Sequence, residues 1–158
     1  GYQVHHGHRD DGPELAGALA ELMAAAVARS AQTLPDGVLP MPLAPQRLAQ
    51  RGYNQAWELA RHVAAAVRRP AWPHGLLRPL DTAPQAGLGR AARQHNLRTA
   101  FMVEPRHRPA LAGRRVALVD DVMTTGATVR EAAAALLRAG AGAVDVWVLA
   151  RTPETSAD

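Results

Sequence analysis

The chain has 158 residues, a formal charge of +4, and 18 basic residues that are all arginine. That length suits one domain with a real core, no apolar run approaches the ~18 residues a membrane span requires, and the absence of cysteine excludes disulfides, thiol nucleophiles and cysteine zinc sites. No charged segment followed by an apolar one opens the chain, so nothing points to export and the cytoplasm is the expected compartment.

His5, His6 and His8 come first, with only Asp10 and Asp11 beside them. They invite a metal reading, but a solvated terminus fits better because further ligands are missing. Leu15, Leu19, Leu22, Met23 and Val27 then recur at helical spacing, after a possible cap at Asp11 and with Pro13 near the first turn. Val38 to Leu43 reads as a strand, made irregular or edge-like by Pro40 and Pro42. A second helix starts at about Asn54, whose side chain can cap it, and carries Leu59, Val63, Ala66 and Val67 on one face until Arg68-Arg69-Pro70 ends it.

Leu76 to Leu80 is a weak strand and Thr99 to Val103 a better one. The eighteen residues between them are polar and contain glycine and arginine, too long a stretch to be a mere connector. Nine arginines between Arg47 and Arg98 face only Glu58 and Asp81, a local excess of +7. Such a basic middle is read either as a solvated face or as a path for nucleic acid or polyphosphate.

Residues 116 to 128, Val-Ala-Leu-Val-Asp-Asp-Val-Met-Thr-Thr-Gly-Ala-Thr, carry the most specific chemistry. Val116 to Val119 is a short aliphatic run of the kind buried in a parallel sheet, so Asp120 and Asp121 fall at its C-terminal edge, where open α/β sheets bind ligands. Thr124, Thr125, Gly126, Ala127 and Thr128 form a turn that opens a helix running to about Ala139, with Leu136 and Leu137 inward and Gly140 as its stop. Backbone donors, hydroxyls and the positive dipole end favour a phosphate there, and Gly126 lets the backbone come close. Adjacent carboxylates repel phosphate but accept from vicinal hydroxyls and suit a magnesium shell, so the pair fits the sugar of a sugar phosphate. Val144 to Leu149 is the last buried strand. Alternation of strand and helix implies a mostly parallel central sheet flanked by helices, an α/β fold.

Other residues take physical roles by position. Leu43, Ala44 and Arg47 follow a strand end, and Arg47 with Arg51 approaches the Asn54 helix; together they can hold a diphosphate, or the two arginines can simply solubilise a helix surface. Arg78, Arg90 and Arg93 flank or occupy the long loop, placed to close over a leaving diphosphate. Asn96 and Gln85 better suit fixing of the loop backbone. Tyr53 and Trp57 can stack on a base, although packing is the commoner use. His62 and His95 have no identifiable carboxylate partner, which leaves a Ser-His-Asp hydrolase unsupported.

The stretch 116–128 resembles the 5-phosphoribosyl-1-diphosphate (PRPP) signature of type I phosphoribosyltransferases, from the four hydrophobics through the acid pair to the Thr-Gly-x-Thr loop. Residues 39–60, with Arg51-Gly52-Tyr53-Asn54-Gln55 at their centre, resemble the corresponding segment of the competence protein F-like (ComF/GntX) family. Arg78, Thr82, Gln85, Leu88, Arg93, Asn96 and Phe101 fall on that family's pattern, and Ala150-Arg151-Thr152 resembles its usual ending. The resemblance covers about 38–152.

It implies the Rossmann-like type I phosphoribosyltransferase fold in a single domain, with Asp120 and Asp121 on the ribose 2′ and 3′ hydroxyls and the loop 124–128 around the 5′-phosphate. It also implies a strained loop aimed at the pyrophosphate in the Leu43-Ala44 region, where type I relatives often place a cis non-proline peptide. Asp120, Asp121 and Arg93 are then the expected catalytic residues, and Mg²⁺, carried with PRPP as substrate, is expected at Asp120 and Asp121, directly or through water. Members commonly begin with a four-cysteine zinc module; no zinc is expected in this chain, whose opening residues resemble the middle of the family pattern, as if its start were truncated. Thr124 stands where purine-salvage members often carry Asp, which argues against that subclass. The implied partners are PRPP or a nucleotide, and, through the family's association with DNA uptake, single-stranded DNA and competence machinery proteins. Two functions follow: phosphoribosyl transfer with pyrophosphate release to an unidentified acceptor, or a non-catalytic accessory that senses PRPP or a nucleotide and handles single-stranded DNA.

Overall fold

A computed structural model describes residues 12–30, 33–79, 100–123 and 126–151. Three strands, β1 (Gly37–Pro40), β2 (Arg115–Met123) and β3 (Ala143–Arg151), form a parallel sheet in the order β1-β2-β3. Helices α1 (Gly12–Ser30), α2 (Pro45–Arg51), α3 (Gln55–Val67), α4 (Arg108–Leu111) and α5 (Ala127–Arg138) connect and cover them, with a 3-10 turn at Pro105–His107 leading into α4. The expected α/β fold with a parallel sheet is therefore present. Among the described residues no helix is long and apolar enough to cross a membrane.

Strand alternation divides the core into two layers. Ala117 and Val119 of β2 join Val38, Met23 and Val27 of α1, and Leu59, Ala60 and Val63 of α3 in one cluster. Val116 and Leu118 face the other side, with Leu39, Phe101, Val103, Leu111 and the α5 residues Val129, Ala132 and Leu136. Both faces of β2 are thus buried, which explains why Val116 to Val119 is an unbroken apolar run instead of an alternating one.

Several expectations need correction. Leu15 and Leu22 are 57% and 66% exposed, and the buried stripe of α1 is Ala20, Met23 and Val27. At 100° per residue Leu22 lies a full step from Met23, so the leucine spacing describes a second, outward stripe. On α5 Leu136 is buried and Leu137 exposed, for the same reason. The buried face of α3 is Ala56, Leu59, Ala60, Val63 and Ala64, while Ala66 is exposed.

β1 ends at Pro40 instead of running to Leu43. The Met41 N–H still reaches the Val119 carbonyl (2.7 Å), but Pro42 has no donor to continue the ladder. Pro40 is tolerated because Val38, two residues earlier, points its N–H away from β2 to the Pro70 carbonyl (2.9 Å), so the missing donor falls on the outer side. The expected strands at Leu76 to Leu80 and Thr99 to Val103 reduce to one antiparallel bridge, Leu77 with Met102, closed by N–H to carbonyl bonds of 2.9 and 3.0 Å. Pro79 removes the next donor on one side; Leu80 and Thr99 lie outside the described residues. The helix α2 was not expected; it fills what reads in sequence as the approach to α3.

Candidate functional site

β2 carries the acid pair past the point where its neighbour stops. Its register with β1 ends at Pro40 opposite Val119, so Asp120 and Asp121 stand beside the segment 41–44 and not beside a paired strand. On the other side Asp120 is opposite Val148 of β3. Their carboxylates bond only locally: Asp120 Oδ1 accepts from the Asp121 N–H (2.9 Å) and Asp121 Oδ1 from the Val122 N–H (3.0 Å).

Burial first, and then the Asp121 carboxylate beside it, push the Asp120 carboxyl up to about 7. Two like charges on adjacent residues in a half-buried edge resist joint ionisation. A carboxyl shifted in this way at the end of a sheet strand makes Asp120 a functional-site candidate.

Beyond β2 the chain turns at Gly126, which has φ 79°, a left-handed conformation that a side chain would strain. The first bond of α5 runs from the Arg130 N–H to the Gly126 carbonyl (2.9 Å). Ala127 and Thr128 therefore occupy the first turn of a 12-residue helix, where amide donors and the dipole favour an anion. Thr124 and Thr125 lie outside the described residues, as do Arg90 and Arg93 with the loop around them.

The segment after β1 differs in one respect from expectation. A cis, strained peptide at Leu43-Ala44 was expected from the type I resemblance; among the described residues there is no cis peptide bond, and Ala44 is an ordinary extended N-cap of α2 with φ −60° and ψ 145°. Asn54 fixes this segment instead. Its Oδ1 accepts from the Ala56 N–H (3.0 Å), capping α3, and its Nδ2 donates to the Met41 carbonyl (3.1 Å). One side chain thus ties the start of α3 to the end of β1. The cap is visible in sequence; the bond to Met41, thirteen residues away, has no local signal.

Leu43, Pro45, Asn54, Trp57 and Arg78 line one cavity of about 780 Å³. The structure therefore brings Leu43 and Arg78 to the same groove, with the Arg78 guanidinium 5.3 Å from the centre of the Phe101 ring, a cation–π arrangement. Arg47 and Arg51 are exposed on α2 and line neither this groove nor the acid pair. Trp57 packs against the α1/α3 core, which supports packing for that residue, whereas Tyr53 is 48% exposed. His62 Nε2 is buried without a hydrogen-bond partner, and His95 lies outside the described residues.

Among the described residues no three acids or histidines gather as a metal cage. Two carboxylates suit a cation that arrives with most of its oxygen ligands supplied by phosphate and water, which is how Mg²⁺ is usually held. The residues present fit a substrate-borne magnesium ion at Asp120 and Asp121.

Comparison with known proteins gives the family and the fold. The model of the phosphoribosyl transferase domain family matches residues 52–158. The chain is 38% identical over 143 residues to the DNA utilization protein YhgH of Escherichia coli K12, covering 88% of this chain and 61% of the relative. It is 37% identical over 137 residues to competence protein F of Haemophilus influenzae, covering 84% and 59%. It thus spans about three fifths of the length of the curated relatives it matches.

Two solved structures share the fold: glutamine PRPP amidotransferase from B. subtilis (TM-score 0.56, 22% identity, covering 84% of this chain and 26% of that one) and adenine phosphoribosyltransferase from Thermoanaerobacter pseudethanolicus (TM-score 0.55, 16% identity, covering 88% and 81%). The chain belongs to the phosphoribosyl transferase domain family.

Proposed function

We propose that this chain binds PRPP with magnesium at the C-terminal edge of its sheet and transfers the phosphoribosyl group to an acceptor, releasing pyrophosphate. The observation that carries the reading is the acid pair Asp120-Asp121 at the end of β2, one turn before a left-handed glycine that opens α5. Asp120 and Asp121 accept from the ribose hydroxyls; Thr124, Thr125, Gly126, Ala127 and Thr128 hold the 5′-phosphate. Leu43 and Ala44 border the diphosphate, with Arg78 across the groove and Arg47, Arg51, Arg90 and Arg93 as the available guanidiniums.

The reaction needs no protein nucleophile. The bond from the anomeric carbon to the diphosphate oxygen breaks as the acceptor bonds to that carbon, and fixed positive groups stabilise the departing charge. Magnesium neutralises diphosphate charge when bound. Arg93 is the proposed loop cation in this step, since bidentate guanidinium suits a diphosphate.

A second reading has its own support. The relatives are named for DNA utilization and competence, and the excess of +7 between Arg47 and Arg98 favours an accessory that binds single-stranded DNA and keeps the pocket as a PRPP or nucleotide sensor. The two are separated by incubating the protein with PRPP, magnesium and a panel of bases and assaying pyrophosphate, in parallel with single-stranded DNA titrations at two salt concentrations. Transfer predicts base-dependent pyrophosphate release. PRPP binding without release, together with salt-dependent DNA binding, selects the accessory, and no PRPP binding at all removes both.

A further inference from the structure

The two edges of the sheet are finished differently. β1 is four residues long, ends at Pro40 and is closed on its outer side: the Val38 N–H donates to the Pro70 carbonyl (2.9 Å) and the Trp72 N–H to the Val38 carbonyl (2.8 Å). β3 is nine residues long and pairs with β2 from Ala143 to Arg151. Among the described residues nothing bonds to its outer side. Edge strands are usually kept from further pairing by shortness, proline, unpaired charge, a bulge or a covering segment. β3 has no proline or glycine, and its one acid, Asp145, is already neutralised by Arg115 (2.8 Å).

The side chains of this open edge are apolar on both faces. Val144, Val146, Val148 and Ala150 alternate with Asp145, Trp147 and Leu149, and Val146 is 38% exposed. A groove of about 600 Å³ lies beside the strand on the α5 side, with Val146, Val148 and Ala150 among its walls and Met123 and Val129 facing them. β-branched side chains stabilise a ladder most when another strand lies across from them. An unpaired backbone flanked by valines is therefore a template for a further strand.

We infer that the outer side of β3 pairs with β3 of a second copy of this chain, antiparallel about a two-fold axis, so that two three-stranded sheets become one. Because β1 is closed, the open edge of one copy can meet only the β3 edge of another, and the assembly stops at two. Charge selects the antiparallel sense. At the start of β3, where Arg115 and Asp145 cancel, Arg114 and Arg138 outweigh Asp36, a formal excess of +1. At its end Glu14, Asp120 and Asp121 outweigh Arg130 and Arg151, a formal excess of −1. Antiparallel pairing sets each start beside the partner's end, unlike charge on unlike, whereas parallel pairing would oppose like ends. On the α5 face valine and alanine then meet valine and alanine across the axis. Neither PRPP nor magnesium takes part, so the pairing is independent of the phosphoribosyl reading.

Sedimentation equilibrium of the whole chain without ligand should show a reversible monomer–dimer equilibrium and nothing larger. Amide exchange at two protein concentrations should slow alternate amides of residues 143–151 only at the higher one, since every second N–H of the strand points outward. Val146→Lys changes a side chain that is already partly exposed, so it should weaken dimerisation at least tenfold while the thermal melt remains that of a folded chain. Met102→Lys, at a residue 41% exposed and bridged to Leu77 away from β3, should leave the dimer unchanged. A chain that stays monomeric at every concentration overturns the inference, and so does a dimer whose β3 amides exchange equally fast at both concentrations or one that Val146→Lys leaves intact. Alternate amides already slow in the monomer would mean that the chain's own residues cover this edge, which overturns it too. The exchange measurement on the unaltered chain decides the matter even if Val146→Lys fails to fold.

Discussion

The two ends of β2 handle charge in opposite ways. At the N-terminal end, Arg115 Nη1 is 2.8 Å from Asp145 Oδ1 on β3, and the Arg115 N–H donates to Asp36 Oδ2 at 3.0 Å. The Asp36 N–H returns a bond to the Arg115 carbonyl (2.7 Å). Arg115 and Asp145 are paired there, and the Asp36 carboxylate is satisfied by a backbone donor. Five residues on, Asp120 and Asp121 stand together, no described cation pairs with either, and Asp120 is pushed up to about 7. One end satisfies its charges within the fold; the other keeps two adjacent carboxylates that the proposed ligand would relieve. Sites of this kind are where a chain departs from its own folding rules.

The largest expected effect comes from removing the acids. Asp120→Asn with Asp121→Asn should lower PRPP affinity by a hundredfold or more, since each charge-assisted bond to a sugar hydroxyl is worth roughly 1.5–3 kcal/mol. Single-stranded DNA binding, if present, should be unchanged or slightly stronger because negative charge has left a basic surface. Calorimetric titrations of both ligands decide it; unaltered PRPP affinity would place the sugar elsewhere. Thr128→Ala follows, with PRPP weakened by roughly 1.5–3 kcal/mol through one lost donor to a charged acceptor and thermal stability nearly constant. Equal affinity for the two proteins would remove Thr128 from the phosphate site.

The third expectation concerns pH. If PRPP and magnesium require the ionised Asp120, affinity should rise about tenfold from pH 6 to pH 8, because a proton held with a pKa near 7 must first leave. Asp120→Asn should flatten that profile. Folding has the opposite sign. Asp120 titrates near 3.8 when unfolded and about 7 when folded, so the native state binds its proton more tightly. The stabilisation is full below pH 4 and is lost as pH rises to 7. Asp120→Asn should therefore gain stability relative to the unaltered chain as pH rises from 4 to 8, readable in thermal melts; a variant equally less stable at both values would contradict it.

The smallest effect belongs to the satisfied end. Arg115→Ala should cost at most about 1 kcal/mol, since a half-exposed ion pair is screened by water, and it should leave PRPP affinity alone. A large loss of PRPP binding would mean that the two ends are coupled and that the contrast between them is wrong.

Much of the site was legible because its signals are local. The run Val116 to Val119, the acids that follow it, the Asn54 cap and the Thr-Gly turn at Gly126 each depend on a few adjacent residues. The phase of the helices was harder. Leu22 and Leu137 fit an apolar spacing but sit one step from the buried stripe, and only the packing of α1 on α3 and of α5 on the sheet decides which stripe turns inward. Long-range bonds left no trace: the Asn54 bond to Met41 joins elements that the sequence keeps apart. The trans Leu43-Ala44 peptide shows a different limit, since that expectation came from resemblance and not from a residue that demands it.

The central claim is tested most directly by titrating PRPP with magnesium into isotope-labelled protein and following backbone amides. The account predicts saturable shifts concentrated at 120–129, with the amides of Arg115 and Asp145 at the opposite end of the sheet unmoved. Saturable shifts at Arg115 and Asp145 with 120–129 silent, or no shifts anywhere at millimolar PRPP, would contradict it.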